Sequence, residues 1–247
     1  MEPLAEESSV SDQLVTKYKR QAAERAVEFV ESGMVVGLGH GSTAAFAGLR
    51  IAALLQGEEL TDIVAVPCSS EVASMAQGLG IPLTTLEAHP SIDITIDGAD
   101  EVDPDMNLIK GGGGALLREK IVARASRREI IVVDGSKLSR RLGTLFALPV
   151  EVLPGAESAE AEFLASLGAR VARRGGERPF CTDNGNLILD CRWPGIEDPY
   201  ELSRRLDDRS GIAGHGLFLD LATDLIVASV RGVHHFLRGQ DWGEAAA

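Results

Sequence analysis

The sequence predicts an α/β fold: a parallel sheet with helices on both faces, joined to a smaller ferredoxin-like α+β unit. Three observations carry this. Strand, polar or glycine-rich loop and helix alternate from Met34 to Asp134. Strand starts in that stretch recur roughly every 30 residues, the length of one βαβ unit. Beyond Leu148–Pro154 the order changes to β-α-β-β-α-β, the ferredoxin-like pattern.

The elements follow in order. Residues 1–11, acidic and without an apolar core, read as an irregular lead-in that is neither a signal nor a transit peptide. A helix from Ser11 to Ser32 carries Ala22, Ala26, Phe29 and Val30 at helical spacing and stops at Gly33. Strand Met34–Leu38 leads through GHGST into a helix ending near Leu55. Strand Ile63–Val66 leads through PCSSE into a helix over Val72–Leu79, and strand Ile92–Ile96 leads into DGADEVD. A glycine run opens helix Ala115–Ala125, and strand Ile130–Val133 leads into DGSKL. The smaller unit contributes helix Ala159–Leu167, strands near Arg170–Val171, Cys181–Thr182 and Leu187–Asp190, helix Tyr200–Leu206 and a strand near His215–Leu219. Strand Leu225–Val230 and a last helix at Val233–Leu237 return to the first sheet. The division is residues 1–146 with 222–247 as one domain and 147–221 as the other. In open α/β sheets ligands bind beyond the carboxyl ends of the strands, so Gly39–Thr43, Ser69–Glu71, Asp97–Asp103 and Asp134–Lys137 converge on one edge.

Bulk properties narrow the function. A formal net charge of -13 repels nucleic acid phosphates and anionic membranes. It also means that a phosphorylated ligand needs local lysines and backbone N–H groups. Three cysteines without a C-x-x-C pair fit a reducing cytosol rather than a disulfide framework or zinc ribbon. No apolar run reaches the ~20 residues of a membrane span.

Three stretches carry chemistry. In GLGHGST, Gly37–Thr43, a loop opens a helix whose free N–H groups suit an anion, with Ser42 and Thr43 adding hydroxyl donors. Ser42 takes the place of the third glycine of the dinucleotide fingerprint, and no P-loop lysine follows. A plain tight turn is the alternative. In DGADEVD, Asp97, Asp100, Glu101 and Asp103 crowd together after a strand. Calcium binding fails because Leu108 and Gly114 stand where that loop needs glycine and glutamate. Either a solvated loop or carboxylates paired for acid–base work or for gripping sugar hydroxyls remains. In KGGGGALLREK, Lys110 precedes four glycines, a costly run in a folded chain that suggests a loop wrapping a ligand. Glu119 has Ala115, Leu116, Val122 and Ala123 at its helical neighbour positions. A carboxylate among them is desolvated and its pKa rises, as suits a base acting on a carbon-bound proton. The alternative is an amphipathic helix with Glu119 facing water beside Arg118 and Lys120.

GLGHGSTA (37–44), IDGADEVD (96–103), IKGGGGALLREKI (109–121), VDGSKL (133–138), LPVEV (148–152), TDNGNLILD (182–190) and HGLF (215–218) together resemble the type A ribose-5-phosphate isomerases. The likeness runs from about Lys17 to Leu237. It implies a Rossmann-like domain beside a ferredoxin-like one. The activity implied is interconversion of ribose 5-phosphate and ribulose 5-phosphate through an enediolate, in the non-oxidative pentose phosphate pathway, with no metal and no cofactor. The partners implied are the pentose phosphate and further copies of the chain, a dimer or tetramer. Glu119 matches the family's catalytic glutamate, Asp97 and Asp100 its paired aspartates, and Lys110 its active-site lysine. Lys137 matches a substrate-contacting lysine, Ser42 and Thr43 a phosphate-contacting pair, and Lys19 an N-terminal helix lysine at the phosphate. His40, Gly41, Gly98, Ala99, Gly111, Gly112 and Gly113 complete the implied substrate site. One departure stands out: the family reads G-T-G-S-T, and here His40 replaces the threonine. In the implied mechanism Asp97 shuttles a proton between the two sugar oxygens. Glu119 moves one between carbons 1 and 2, while Lys110 and the glycine N–H groups hold the enediolate. The alternatives are a non-catalytic sugar-phosphate-binding domain, an amino-sugar phosphate isomerase or deaminase, and nicotinamide-dependent reduction, which the broken fingerprint disfavours.

Overall fold

The computed structural model describes residues 3–240 and Trp242. Its main sheet has six strands: β1 (Val35–Leu38), β2 (Val64–Pro67), β3 (Ile94–Asp97), β6 (Glu129–Asp134), β12 (Asp224–Ser229) and β13 (Gly232–Leu237). They run in the order β13-β12-β6-β3-β1-β2. All neighbours are parallel except β12 and β13, which form an antiparallel hairpin. The expected last helix at Val233–Leu237 is therefore the edge strand β13. Five residues are too few for a helical period to show, and Val233 and Phe236 suit a pleated surface.

Helices α1 (Pro3–Val27), α2 (Ala44–Gln56), α3 (Ser70–Gly78) and α4 (Leu116–Ala125) surround this sheet. Helix α1 begins at Pro3, so the lead-in is helical from there, and it ends at Val27 rather than at Ser32. Met1, Glu2 and the alanines that end the chain lie outside the described residues. Strand residues one apart point to opposite faces. Ile130 and Val132 join a core with Ala22, Ala26 and Ile51, while Ile131 and Val133 join one with Ala123, Phe218 and Leu225.

A second sheet of four antiparallel strands holds β7 (Leu148–Val152), β8 (Arg170–Arg173), β9 (Leu187–Arg192) and β10 (Ile212–His215) in the order β10-β7-β9-β8. With α5 (Glu157–Ser166) and α6 (Pro199–Asp207) it follows the β-α-β-β-α-β pattern. Cys181–Thr182 contributes only a single bridge, Cys181 to Leu187, in place of the expected strand. A third sheet is made of the two-residue strands β4 (Glu101–Val102), β5 (Leu108–Ile109) and β11 (Leu217–Phe218). Helix α4 packs on both β7 and β10, so the helix that carries Glu119 lies between the main sheet and the small one.

Among the described residues, no helix is long and apolar enough to cross a membrane.

Candidate active site

The chain runs from β1 outward to β2 and then returns to β3 on the other side of β1. Ligands of open α/β sheets sit at such a switch point, and here its two flanking loops touch. A Cβ on Gly39 would collide with the Asp97 carboxylate, so glycine is what lets the loop after β1 reach the loop after β3.

A cavity of about 140 Å³ opens there. Lys19, His40, Gly41, Ser42, Thr43 and Lys137 line one part, from α1, the β1 loop and the turn Gly135–Lys137. Gly98, Ala99, Asp100, Lys110, Gly111, Gly112, Gly113 and Glu119 line the rest. Of the residues assigned from sequence to catalysis or substrate binding, Asp97 alone is outside this lining. A larger cleft of about 470 Å³ beside Trp193, Glu197 and Arg205 contains none of the buried ionisable groups, so size does not identify the reactive site.

Three ionisable groups meet beneath the cavity. The Lys110 ammonium, 2% exposed, lies 2.9 Å from Asp97 Oδ2 and 3.0 Å from Glu119 Oε1. Its third proton goes to the Gly98 carbonyl at 2.5 Å, which exhausts its donors. Asp97 Oδ1 in turn accepts from the N–H groups of Gly98 at 2.7 Å and His40 at 3.1 Å. Asp97 therefore anchors Lys110 and the two loops. Of the two aspartates, Asp100 is the one that lines the cavity, and its Oδ2 accepts the Gly112 N–H at 2.7 Å.

Glu119 faces inward, contrary to the solvent-facing alternative: it is buried, while Arg118 reaches out to Asp183 at 3.2 Å. Lys120 turns the other way, onto the His215 carbonyl at 2.6 Å, and burial pushes its pKa down to about 7. Burial raises Glu119 to about 7 against the pull of Lys110, with Asp97 adding to the rise. Glu119 Oε2 is buried with no hydrogen-bond partner among the described residues. For Lys110, burial favours the neutral amine, but Asp97 and Glu119 outweigh it and hold the proton.

Lys19 Nζ donates to Ser42 Oγ at 3.0 Å, joining α1 to the β1 loop. The His40 ring lies against Gly113, and its Nδ1 is 3.0 Å from Ser69 Oγ. Cys68 Sγ and carboxylate oxygens of Asp97 and Glu119 lie within 4.8 Å of one another, a spacing that could hold a metal ion. The Lys110 ammonium already bridges both carboxylates, and burial raises the Cys68 thiol well above its ordinary value, against a thiolate ligand. The donor set suits the lysine ammonium better than a metal ion.

Sequence reasoning missed Arg174, Asp190 and Phe180. Arg174 holds the carbonyls of Gly111 at 2.8 Å and Gly112 at 3.0 Å, and Phe180 fills the space beside Gly114. Arg174 and Phe180 lie more than sixty residues from the glycines they touch, and Asp190 acts through Arg174, so no local pattern reports such contacts.

A family model for ribose 5-phosphate isomerase A (phosphoriboisomerase A) matches residues 64–232. The ribose-5-phosphate isomerase A of Desulfatibacillum aliphaticivorans is 55% identical over 217 residues, 87% of this chain and 94% of that one. That of Chloroflexus aurantiacus is 55% identical over 219 residues, covering 88% and 92%. Among solved structures, ribose 5-phosphate isomerase from Plasmodium falciparum superposes with a TM-score of 0.88 at 39% identity, covering 91% of this chain and 100% of its own. A D-ribose-5-phosphate isomerase in complex with phospho-erythronic acid gives 0.88 at 39%, covering 91% and 99%.

Proposed function

The chain belongs to the ribose 5-phosphate isomerase A family, and on that premise we propose that it interconverts ribose 5-phosphate and ribulose 5-phosphate through an enediolate. The observation that carries the chemistry is Glu119: a buried carboxylate with one oxygen held by Lys110 and the other unpartnered among the described residues, on the wall of a cavity with lysines in its lining.

In our reading the substrate phosphate docks against Lys19, Ser42 and Thr43, with Lys137 nearby. Binding at that remote end positions carbons 1 and 2. The Glu119 carboxylate takes the proton from carbon 2 of the aldose, and the electron pair moves onto the carbonyl oxygen. Glu119 then returns the proton to carbon 1, while the hydroxyl proton passes from oxygen 2 to oxygen 1. The balance is an isomerisation that needs no external oxidant or reductant. We give the oxygen-to-oxygen shuttle to Asp100, because Asp97 is engaged by Lys110 and two backbone N–H groups. The Lys110 charge and the glycine-loop N–H groups stabilise the enediolate oxygen as its charge develops, the task a metal would otherwise do.

We also read residues 1–146 with 222–247 as the catalytic domain and 147–221 as the small one. The chain would work as a cytoplasmic homo-oligomer. The test is purified protein with ribose 5-phosphate and a chelator, following ketose formation. Steady turnover is expected, and an inert protein would overturn the reading. Glu119→Gln should lower kcat by about 1,000-fold or more while KM stays within a few-fold.

A further inference from the structure

We propose that Arg174 is a positioning residue for this reaction: clamped by Asp190, it turns the Gly113 N–H into the cavity, toward the oxygen that becomes negative. The inference rests on the isomerase reading and adds a residue from the small sheet to its machinery.

The geometry is as follows. Asp190 of β9 grips the Arg174 guanidinium through two bonds, Nε to Oδ2 at 3.0 Å and Nη2 to Oδ1 at 2.5 Å. That fork fixes the guanidinium plane. The remaining nitrogen, Nη1, reaches the carbonyls of Gly111 and Gly112 together. No peptide bond among the described residues is cis, and in a trans peptide the C=O and the next N–H point in opposite directions. The first peptide obeys this: the Gly111 carbonyl faces Arg174, and the Gly112 N–H faces Asp100 on the cavity side. By the same rule, the Gly112 carbonyl at Arg174 sends the Gly113 N–H away from Arg174, on the side where the loop meets the cavity.

The Gly111–Gly112 peptide is also held by the Gly114 N–H on its carbonyl at 3.0 Å and by Asp100 on its N–H, but glycine adds no side chain to fix the plane of the next peptide. Arg174 supplies the missing constraint. The loop is held from two other sides, by the His40 ring against Gly113 and the Phe180 ring against Gly114. Gly111 and Gly114 have φ of +102° and +86°, which only glycine adopts without strain, so the constraint cannot come from side chains within the loop.

The experiment uses the full chain and ribose 5-phosphate. Arg174→Met should lower kcat by about 100-fold with KM within about threefold, the signature of one misdirected donor at a developing oxyanion. Arg174→Lys should recover only part, since a lysine cannot hold Asp190 and two carbonyls in one plane. Asp190→Asn leaves the guanidinium in place but frees it, and a smaller kcat loss is expected. It also serves if Arg174→Met does not fold. Millimolar ethylguanidinium should raise the kcat of Arg174→Gly and leave Glu119→Gln unmoved. Wild-type kcat in Arg174→Met and Asp190→Asn, or a loss confined to KM, would overturn the proposal. Absence of turnover in the wild type would sink the isomerase reading instead. In that case amide hydrogen exchange across residues 111–114 still decides on the clamp, which fails if protection is equal in wild type and Asp190→Asn.

Discussion

Glu119 owes its basicity to two opposed neighbours. Lys110 keeps the carboxylate from remaining protonated through neutrality, and burial with Asp97 keeps it from being as weak a base as a surface glutamate. The outcome, about 7, predicts an acid limb in kcat/KM. In the proposed base role the active form is the carboxylate, so activity should rise as pH passes upward through that region and fall toward tenfold per unit below it. Glu119→Gln should show a low rate without that limb, and an unchanged limb in the variant would assign it to another group. Lys19 predicts a different kinetic signature. It lies in the cavity lining and reaches Ser42, and in the proposed phosphate role it would contribute binding in ground and transition states alike. Lys19→Met should therefore raise KM for ribose 5-phosphate by about tenfold or more, with a smaller change in kcat. A variant that lost kcat at constant KM would move Lys19 out of the phosphate role.

Strand β4 follows the Asp97–Asp100 loop directly and is only two residues long, yet it is held firmly because Glu101 is buried and fully paired. Its Oε2 accepts the N–H groups of Gly143 and Phe146, each at 3.0 Å. Its Oε1 accepts those of Thr144 at 3.1 Å and Leu145 at 3.2 Å. One carboxylate thus pins the connection from the main sheet to β7. Glu101→Gln turns an amide toward donors and should cost about 3 kcal/mol in denaturant unfolding; a loss under about 0.5 kcal/mol would show that water replaces those bonds. Such a role is hard to read from sequence, where Glu101 looked like one more acid in a run. What was legible had local causes. The strands of the main sheet announce themselves by β-branched runs at regular intervals, and each site loop directly follows one, so Gly39–Thr43, Asp97–Asp100 and Lys137 could be placed together. Lys110 and Glu119 belong to one contiguous stretch. What was illegible depends on distant partners: β13 is a strand because it pairs with β12, β5 because β4 and β11 flank it, and Arg174 matters because the chain returns it to Gly111.

The core of the protein stores carboxylates that it cannot fully pair, and this shapes its response to pH. Glu129 opens β6, and neither oxygen has a hydrogen-bond partner among the described residues. Burial raises it well above its ordinary value, with Asp97 adding to the rise, Lys110 opposing it and Glu119 adding less. Folded Glu129 therefore keeps its proton in a range where the unfolded chain has released it. The stability this contributes is complete below the unfolded value near 4.5, and it is lost as pH rises through the folded one. Glu119, raised to about 7, acts in the same direction. Stability should consequently decline from about pH 5 toward pH 8, on the side where many proteins are at their most stable. Glu129→Gln keeps the shape of the neutral acid and cannot ionise. Thermal unfolding should find the variant close to wild type at pH 5 and increasingly more stable above it. The gap should grow by about 1.4 kcal/mol per unit while Glu129 stays protonated, and 1 kcal/mol is about 2–4 °C in Tm for a chain of this size. A difference that stays flat across pH 5–8 would mean that Glu129 titrates alike in the folded and unfolded chain, and the buried-acid account of the core would be wrong.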